Sequence, residues 1–223
     1  MQDEIWNTVD AYVTDRVVRP EWALTEAGVS ADVAGLPPIA VSAPLGKLLQ
    51  LLARMVGARR ILEIGTLGGY STIWMARALP ESGRLVSLEA DLRHAEVARA
   101  NIDRAGLTPV AEVRVGPALE TLPKIEAEAR GQFDMTFIDA DKPNIPEYFQ
   151  WAIRLSRTGA VIVVDNVVRN GALVDPASSD PNVLGVRRFH DLVASLGDAV
   201  SATTLQTVGS KGYDGVTIAL VNG

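Results

Sequence analysis

Arg60-Ile61-Leu62-Glu63-Ile64-Gly65-Thr66-Leu67-Gly68-Gly69-Tyr70-Ser71-Thr72 reads as a short strand, a glycine turn and the start of a helix. Ile61, Leu62 and Ile64 form the near-continuous apolar run expected of a parallel strand buried on both faces. Gly65, Gly68 and Gly69 let the chain turn sharply and let a ligand approach the backbone. Ser71 and Thr72 lead into Ile73-Trp74-Met75-Ala76, a helix-like run whose N-terminal amides point back at the turn. The stretch therefore predicts a small-molecule cradle at the carboxyl end of the first strand of an open sheet. The glycines are spaced G-x-x-G-G rather than the G-x-G-x-x-G that embraces a pyrophosphate. Glu63, just before the first glycine, would repel a pyrophosphate and suit a ligand carrying positive charge. The run Arg84-Leu85-Val86-Ser87-Leu88 ends in Glu89, where a ribose-binding acid is expected. A ribose beside a cation, without pyrophosphate, points to S-adenosylmethionine.

The rest of the chain bounds what such a cradle can serve. Its 223 residues suit one α/β domain, and 48% hydrophobic with 22% charged residues is a globular composition. A net charge of −6 argues against a nucleic-acid-binding surface. With no cysteine, disulfides, zinc–thiolate sites and thiol catalysis are excluded. No apolar run is long enough to span a bilayer. The acidic start Met1-Gln2-Asp3-Glu4 lacks a signal-peptide pattern, so a cytoplasmic location is expected.

Upstream of the cradle, Ile5, Val9, Tyr12, Val13 and Val17 recur at helical spacing and predict an amphipathic helix ended by Pro20. A second helix is expected from Glu21 to about Ala34. Residues 1–40 thus read as a helical cap or dimer-contact segment on a single domain spanning 1–223. Ser42 is placed to cap a third helix with Pro44 in its first turn. Downstream, strand and helix alternate. Asp91 caps a helix through Ala105, Val110–Val115 is a strand, and a helix after Gly116-Pro117-Ala118 runs to about Ala129. Phe133–Ile138 is a strand, Pro146–Leu155 a helix and Ala160–Val164 a strand. That alternation implies parallel strands with helical crossovers. A helix from Val183 to Leu196 precedes two strand-like runs, Val200–Val208 and Gly215–Val221, with Gly209–Gly212 as the loop of a closing hairpin.

Two strands end in acids: Phe137-Ile138-Asp139-Ala140-Asp141-Lys142 and Val163-Val164-Asp165-Asn166. In a parallel sheet those ends share an edge with the glycine turn, so Asp139, Asp165 and Asn166 are expected to converge. Neighbouring carboxylates repel unless a cation intervenes, and oxygen-only donors favour magnesium, with manganese or calcium as alternatives. Lys142, beside such an ion, is a candidate proton acceptor. His94 and His190 lie in charge-rich helical segments and read as surface residues.

Taken together, Leu62-Glu63-Ile64-Gly65-Thr66, Gly69-Tyr70-Ser71, Phe137 to Lys142, Val164-Asp165-Asn166 and Lys211-Gly212-Tyr213-Asp214-Gly215 resemble the cation-dependent O-methyltransferases, the group of caffeoyl-CoA and catechol O-methyltransferases, and the small bacterial members above all. The resemblance runs from about Ala40 to the C-terminus. It implies a Rossmann-like class I methyltransferase fold: a seven-stranded, mostly parallel sheet with a reversed final strand and helices on both faces, in a homodimer. It places Val41, Glu63, Gly65, Thr66, Gly69, Ser71, Glu89, Ala118, Asp139 and Asp141 around S-adenosylmethionine, with Glu89 on the ribose, Ala118 near adenine and Asp141 at the methionine end. Asp139, Asp165 and Asn166 would hold the metal, Lys142 would act with Asp139 in catalysis, and Asn170 matches a substrate contact. Pro117 stands where relatives often carry an acid, and it removes a backbone donor there. The expected reaction methylates one hydroxyl of a phenolic small molecule of the vicinal-diphenol type and yields S-adenosylhomocysteine. Two other readings fit parts of the sequence: a metal-independent methyltransferase acting on a protein or other macromolecule, and a nicotinamide-dependent oxidoreductase on a similar sheet.

Overall fold

The computed structural model describes residues 2–129 and 131–223, so Met1 of the acidic start lies outside the described residues. Seven strands form one sheet in the order β3-β2-β1-β4-β5-β7-β6. These are β1 (Arg60–Ile64), β2 (Arg84–Glu89), β3 (Ala111–Val115), β4 (Phe133–Ile138), β5 (Ser156–Asp165), β6 (Val200–Gly209) and β7 (Gly212–Val221). β1 pairs in parallel with β2 and β4, as do β2 with β3 and β4 with β5, while β7 runs antiparallel to both β5 and β6. Strand order reverses between the neighbours β2, β1 and β4, which opens a crevice above their carboxyl ends.

Alternate residues of the central strands enter separate cores, as a doubly covered sheet requires. Ile61, Leu85, Met135, Phe137 and Val163 pack with the layer of α3 (Ala43–Met55), α4 (Tyr70–Ala76) and α5 (Leu92–Arg104). Leu62, Ile64, Val86, Ile138, Ile162 and Val164 pack with α6 (Ala118–Ala127), α7 (Ile145–Leu155) and α8 (Pro181–Ser195). Phe149 and Phe189 meet edge to face between α7 and α8, with centroids 5.1 Å apart. Each such fully buried side chain contributes about 1.5–3 kcal/mol.

The local signals act as expected at three helix starts. Ser42 Oγ accepts from the Leu45 amide at 3.4 Å, with Pro44 in the first turn. Asp91 Oδ1 accepts from the Arg93 and His94 amides at the head of α5. Pro117, at φ −54°, precedes α6 directly, and its carbonyl receives the Glu120 and Thr121 amides.

Other expectations need correction. β5 begins at Ser156 rather than Ala160, because Ser156 pairs with Phe133 across an irregular register before regular pairing resumes at Met135–Val161. β6 and β7 pair up to Gly209–Gly212, so only Ser210 and Lys211 form the hairpin turn. That turn is fastened on both sides: the Ser210 amide donates to Asp10 Oδ2 at 2.8 Å, and Lys211 Nζ donates to the Pro38 carbonyl at 3.1 Å.

The N-terminal segment consists of α1 (Gln2–Val13), a π-helical turn over Thr14–Val18 and α2 (Trp22–Val33). The periodic apolar stripe of α1 is real but faces outward: Ile5, Val9, Tyr12 and Val17 are each at least half exposed. His190 is not a free surface residue. Its Nδ1 lies 3.0 Å from the Val186 carbonyl and its Nε2 3.2 Å from Thr204 Oγ1, which ties α8 to β6. No helix among the described residues is long and apolar enough to cross a membrane.

Candidate active site

A cavity of about 690 Å³ opens above the carboxyl ends of β1, β2, β4 and β5. Gly65, Thr66, Leu67, Gly68 and Ser71 of the glycine turn line it, together with Glu89, Ala118, Asp139, Asp141, Lys142 and Asn166. Val41 joins them, as do Ala27, Gly28 and Ala31 of α2. The cap segment therefore contributes Ala27, Gly28, Ala31, Ile39 and Ala40 to the cavity wall. The small residues of α2 allow close approach: Gly68 has no Cβ, and one built there would lie 3.1 Å from Ala31 Cβ. Asn101, fully buried on α5, donates to the Gly68 and Ala27 carbonyls and so fixes the turn against α2.

The glycine turn satisfies its own polar groups. Glu89 Oε2 accepts the Thr66 amide at 3.1 Å and the Leu67 amide at 2.8 Å, and its Oε1 accepts the Asp91 amide. The Gly65 and Gly69 amides donate to Leu88 and Thr66 carbonyls. The turn thus presents few free donors to an anion, unlike a phosphate-binding loop. Glu63 does not face the cavity. It is fully buried beneath the turn, where it accepts from Ser71 Oγ and Thr72 Oγ1 at 2.5 Å and from Ser87 Oγ at 2.6 Å. Burial outweighs those three donors and pushes its carboxyl up to about 7. Gly69 lies behind the wall against α5, at φ 81°, and a Cβ built on it would lie 3.3 Å from Ala98.

Gly65 joins the turn to the acidic strand ends. At φ 97°, a Cβ on it would lie 2.1 Å from the Asp139 carbonyl oxygen. The Asp139 amide in turn donates to the Ile64 carbonyl at 2.9 Å. The first acid of the β4 end is thereby set beside the cradle by backbone contact alone.

Across that junction the charges are less balanced. Lys142, buried, places Nζ 2.8 Å from Asp139 Oδ1 and 3.4 Å from the Asp165 carbonyl oxygen. Asp165 is buried at the end of β5 just behind the cavity wall. Desolvation first, and then the Asp139 charge, raise its carboxyl well above the usual range, against the opposing pull of Lys142. Asn166 lines the cavity, and its side-chain amide makes no hydrogen bond among the described residues. Asp139 is thus near enough to Asp165 for its charge to be felt there, and Asn166, next in the chain, lines the cavity with Asp139. Among the described residues no three His, Cys, Asp or Glu side chains form a metal-binding cluster, so the candidate donors are two carboxylates and one amide. Asp141 is committed elsewhere: it accepts from Tyr148 Oη at 2.5 Å and Asn144 Nδ2 at 2.6 Å. Burial and the Asp141 charge push the Tyr148 phenol upward in return.

The segment after β5 is backbone-strained. Asn166, Arg169 and Asn170 all have positive φ (58°, 56° and 53°), a region costly for an arginine. Asp214, at the start of β7, holds the segment: its Oδ1 accepts the Val168, Arg169 and Gly215 amides, each at 2.9 Å. Asn170, the expected substrate contact, is exposed and outside the cavity lining, whereas Arg169 is in it. His94, expected at the surface, lines the cavity with Nδ1 3.7 Å from Glu89 Oε1. The one available signal was its place in the first turn after Asp91, at the same sheet edge. Arg169 and Tyr148 had only their spacing from Asn166 and Asp141.

A sequence model of the O-methyltransferase family matches residues 23–220. The chain is 53% identical to the catechol O-methyltransferase of Niastella koreensis, across 99% of this chain and 100% of that one. The O-methyltransferase TomG from Streptomyces achromogenes, involved in tomaymycin synthesis and solved in complex with SAM, is 54% identical with a TM-score of 0.96, and the match covers both chains completely. The O-methyltransferase from Bacillus cereus, solved with SAH, is likewise 54% identical with a TM-score of 0.96, over 98% of this chain and 99% of that one. These similarities extend through residues 1–40, so the likeness begins well before Ala40, where the motifs placed its start.

Proposed function

This chain belongs to the O-methyltransferase family, enzymes that methylate hydroxyl groups, and from that premise we propose that it moves the methyl group of S-adenosylmethionine to one hydroxyl of a vicinal diphenol, with a divalent cation held at the β4 and β5 strand ends. The observation that carries the reading is the pair of a half-buried Asp139 and a buried Asp165, whose mutual repulsion is offset by a single ammonium, Lys142, at the edge of a cavity that Asp139 and Lys142 line together with the glycine turn. Two neighbouring carboxylates, one buried and one at the cavity, with an unpartnered amide fit a hard cation such as magnesium, manganese or calcium. When bound, such an ion supplies Lewis acidity that lowers a phenol's pKa and fixes its oxygens. Family membership sets aside the nicotinamide-dependent alternative.

In this reading Glu89 and Ala118 flank the adenosine side of the cavity, and Gly65 to Gly68 with Tyr70 and Ser71 form its floor. Asp141, braced by Tyr148 and Asn144, faces the methionine end. With a cation bound, the Lys142 ammonium would give up its charge-balancing role and its neutral amine would be favoured, whose Nζ would then take the phenolic proton, with Asp139 Oδ1 2.8 Å from that nitrogen. The reaction is a direct displacement in which the new O–CH3 bond forms as the S–CH3 bond breaks, so no covalent enzyme intermediate is required. Alignment of the two reactants within one enclosed cavity supplies much of the rate. The exposed apolar side chains Ile5, Val9 and Tyr12 of α1, with Leu205 and Val208 of the adjoining β6, support a homodimer. A monomeric mass by light scattering would remove that part of the reading.

The test is methylation of pyrocatechol by S-adenosylmethionine, followed by product analysis, with magnesium and with excess chelator. Monomethyl ether is expected with magnesium, lost in chelator and restored by added magnesium. Full turnover in chelator removes the cation from the reading. Absence of methylation across a set of vicinal diphenols overturns it altogether.

A further inference from the structure

Each charged group on the cavity wall has a partner, but the pairing of Arg169 is loose and leaves its donors open. Glu89 receives the Thr66, Leu67 and Asp91 amides, Asp141 receives Tyr148 and Asn144, and Lys142 lies on Asp139. His94 faces Glu89. Arg169 lines the same cavity, yet its guanidinium donates no hydrogen bond among the described residues. Its Nε is buried and has no partner. Asp214 Oδ2 lies 3.6 Å from Nη1, beyond hydrogen-bond reach, while Oδ1 of the same carboxylate is engaged by three backbone amides. Those amides hold the Arg169 backbone at φ 56°, so the side chain starts from a fixed position at a strained residue.

An arginine that makes no hydrogen bond, with Nε buried and only a 3.6 Å ion pair to Asp214, is incomplete unless a ligand engages its donors. Its planar fork matches a carboxylate through two parallel hydrogen bonds, a geometry that a hydroxyl or an amine does not reproduce. Its position matters too. Arg169 follows Asn166 by three residues in the segment that leaves β5, which is the acceptor end of the cavity in the reading above. We propose that Arg169 binds a carboxylate carried by the acceptor ring, so that the substrate class is an acidic vicinal diphenol rather than a neutral or cationic one. This rests on the diphenol reading and deepens it. The methionyl carboxylate of S-adenosylmethionine offers the same chemistry from a second source, and the experiment separates the two.

The experiment measures kcat/KM for 3,4-dihydroxybenzoate and for pyrocatechol, in the intact enzyme, Arg169→Met and Arg169→Lys. The intact enzyme is expected to favour the acid by about 10- to 100-fold, the range of a charge-assisted hydrogen-bonded pair. Arg169→Met is expected to bring that ratio close to one, chiefly through the KM of the acid. Arg169→Lys, which keeps the charge without the fork, is expected to retain part of it. Thermal stabilisation by S-adenosylhomocysteine reports folding and cofactor binding in each variant. If it vanishes in a variant that still melts cooperatively, Arg169 belongs to the methionyl carboxylate, and the acceptor assignment is overturned. Should Arg169→Met fail to fold, the Arg169→Lys ratio decides alone, and an unchanged ratio overturns the proposal. An intact enzyme that turns over both diphenols equally also overturns it, while leaving the diphenol reading in place. An enzyme inactive on every diphenol overturns both.

Discussion

At the glycine-turn end of the cavity the polar groups satisfy one another; at the ends of β4 and β5 several are left incomplete. Glu89 takes two turn amides, and Glu63 takes three hydroxyls beneath them. Opposite, Asp139 and Asp165 share one ammonium, Asn166 keeps a free side-chain amide, and Arg169 has only a 3.6 Å ion pair with Asp214 and an unpartnered Nε. The first end is a finished container shaped by backbone and hydrogen bonds. The second carries charge and strain that a ligand would relieve. Ligand shape is therefore set at one end and ligand chemistry at the other.

The largest expected effect separates the two ends. Asp165→Ala should lower diphenol methylation on the order of 10³-fold, because it removes a carboxylate at which transition-state charge is to be managed. Stabilisation by S-adenosylhomocysteine should persist, since the turn hydrogen bonds lie elsewhere. Should calorimetry show that cofactor binding is lost as well, the two ends are not separable and the comparison fails.

A second substitution strikes their junction. Gly65→Ala sets a Cβ into the Asp139 carbonyl at a φ of 97°. Relief requires the β1 and β4 ends to part, at a cost of about 2–4 kcal/mol. The melting temperature should fall by roughly 5–15 °C, and both cofactor binding and methylation should weaken together. A variant that melts like the parent enzyme would mean the contact is loose and the two ends are positioned independently.

The same division explains what could be read from the residues beforehand. The container end was legible because strand, glycine turn and helix start follow one another within thirteen residues, and Glu89 sits at a strand terminus. Asp139, Asp165 and Asn166 were legible for the same reason: a parallel sheet brings strand ends to one edge. The segment after Asn166 was not. Three positive-φ residues break any period, so which of Arg169 and Asn170 enters the cavity depends on Asp214, forty-five residues away from Arg169. The cavity wall on α2 was hidden because Ala27, Gly28 and Ala31 act by being small and carry no polar signal. Periodicity found the apolar face of α1 but not whether this chain covers it.

The smallest expected effect tests whether the container end is electrically quiet. Glu63 is fully buried, and burial raises its carboxyl from 4.5 to about 7 despite three hydroxyl donors. Below about pH 4.5 it is neutral whether the chain is folded or not. Between 4.5 and about 7 the folded protein keeps a proton that the unfolded chain releases, so rising pH lowers stability through that window, and the loss is complete above it. Glu63→Gln keeps the shape and cannot ionise, and the Ser71, Thr72 and Ser87 hydroxyls can turn to accept from its amide. Relative to the parent enzyme, the variant should therefore gain about 1–3 kcal/mol in unfolding free energy between pH 5 and pH 8. Urea denaturation at the two pH values measures this. Parallel pH dependence in both proteins would show that Glu63 is an ordinary carboxylate, held charged by its hydroxyl donors. The glycine end would then also carry a full negative charge beneath a cationic ligand, and the contrast between the two ends would shrink to one of shape.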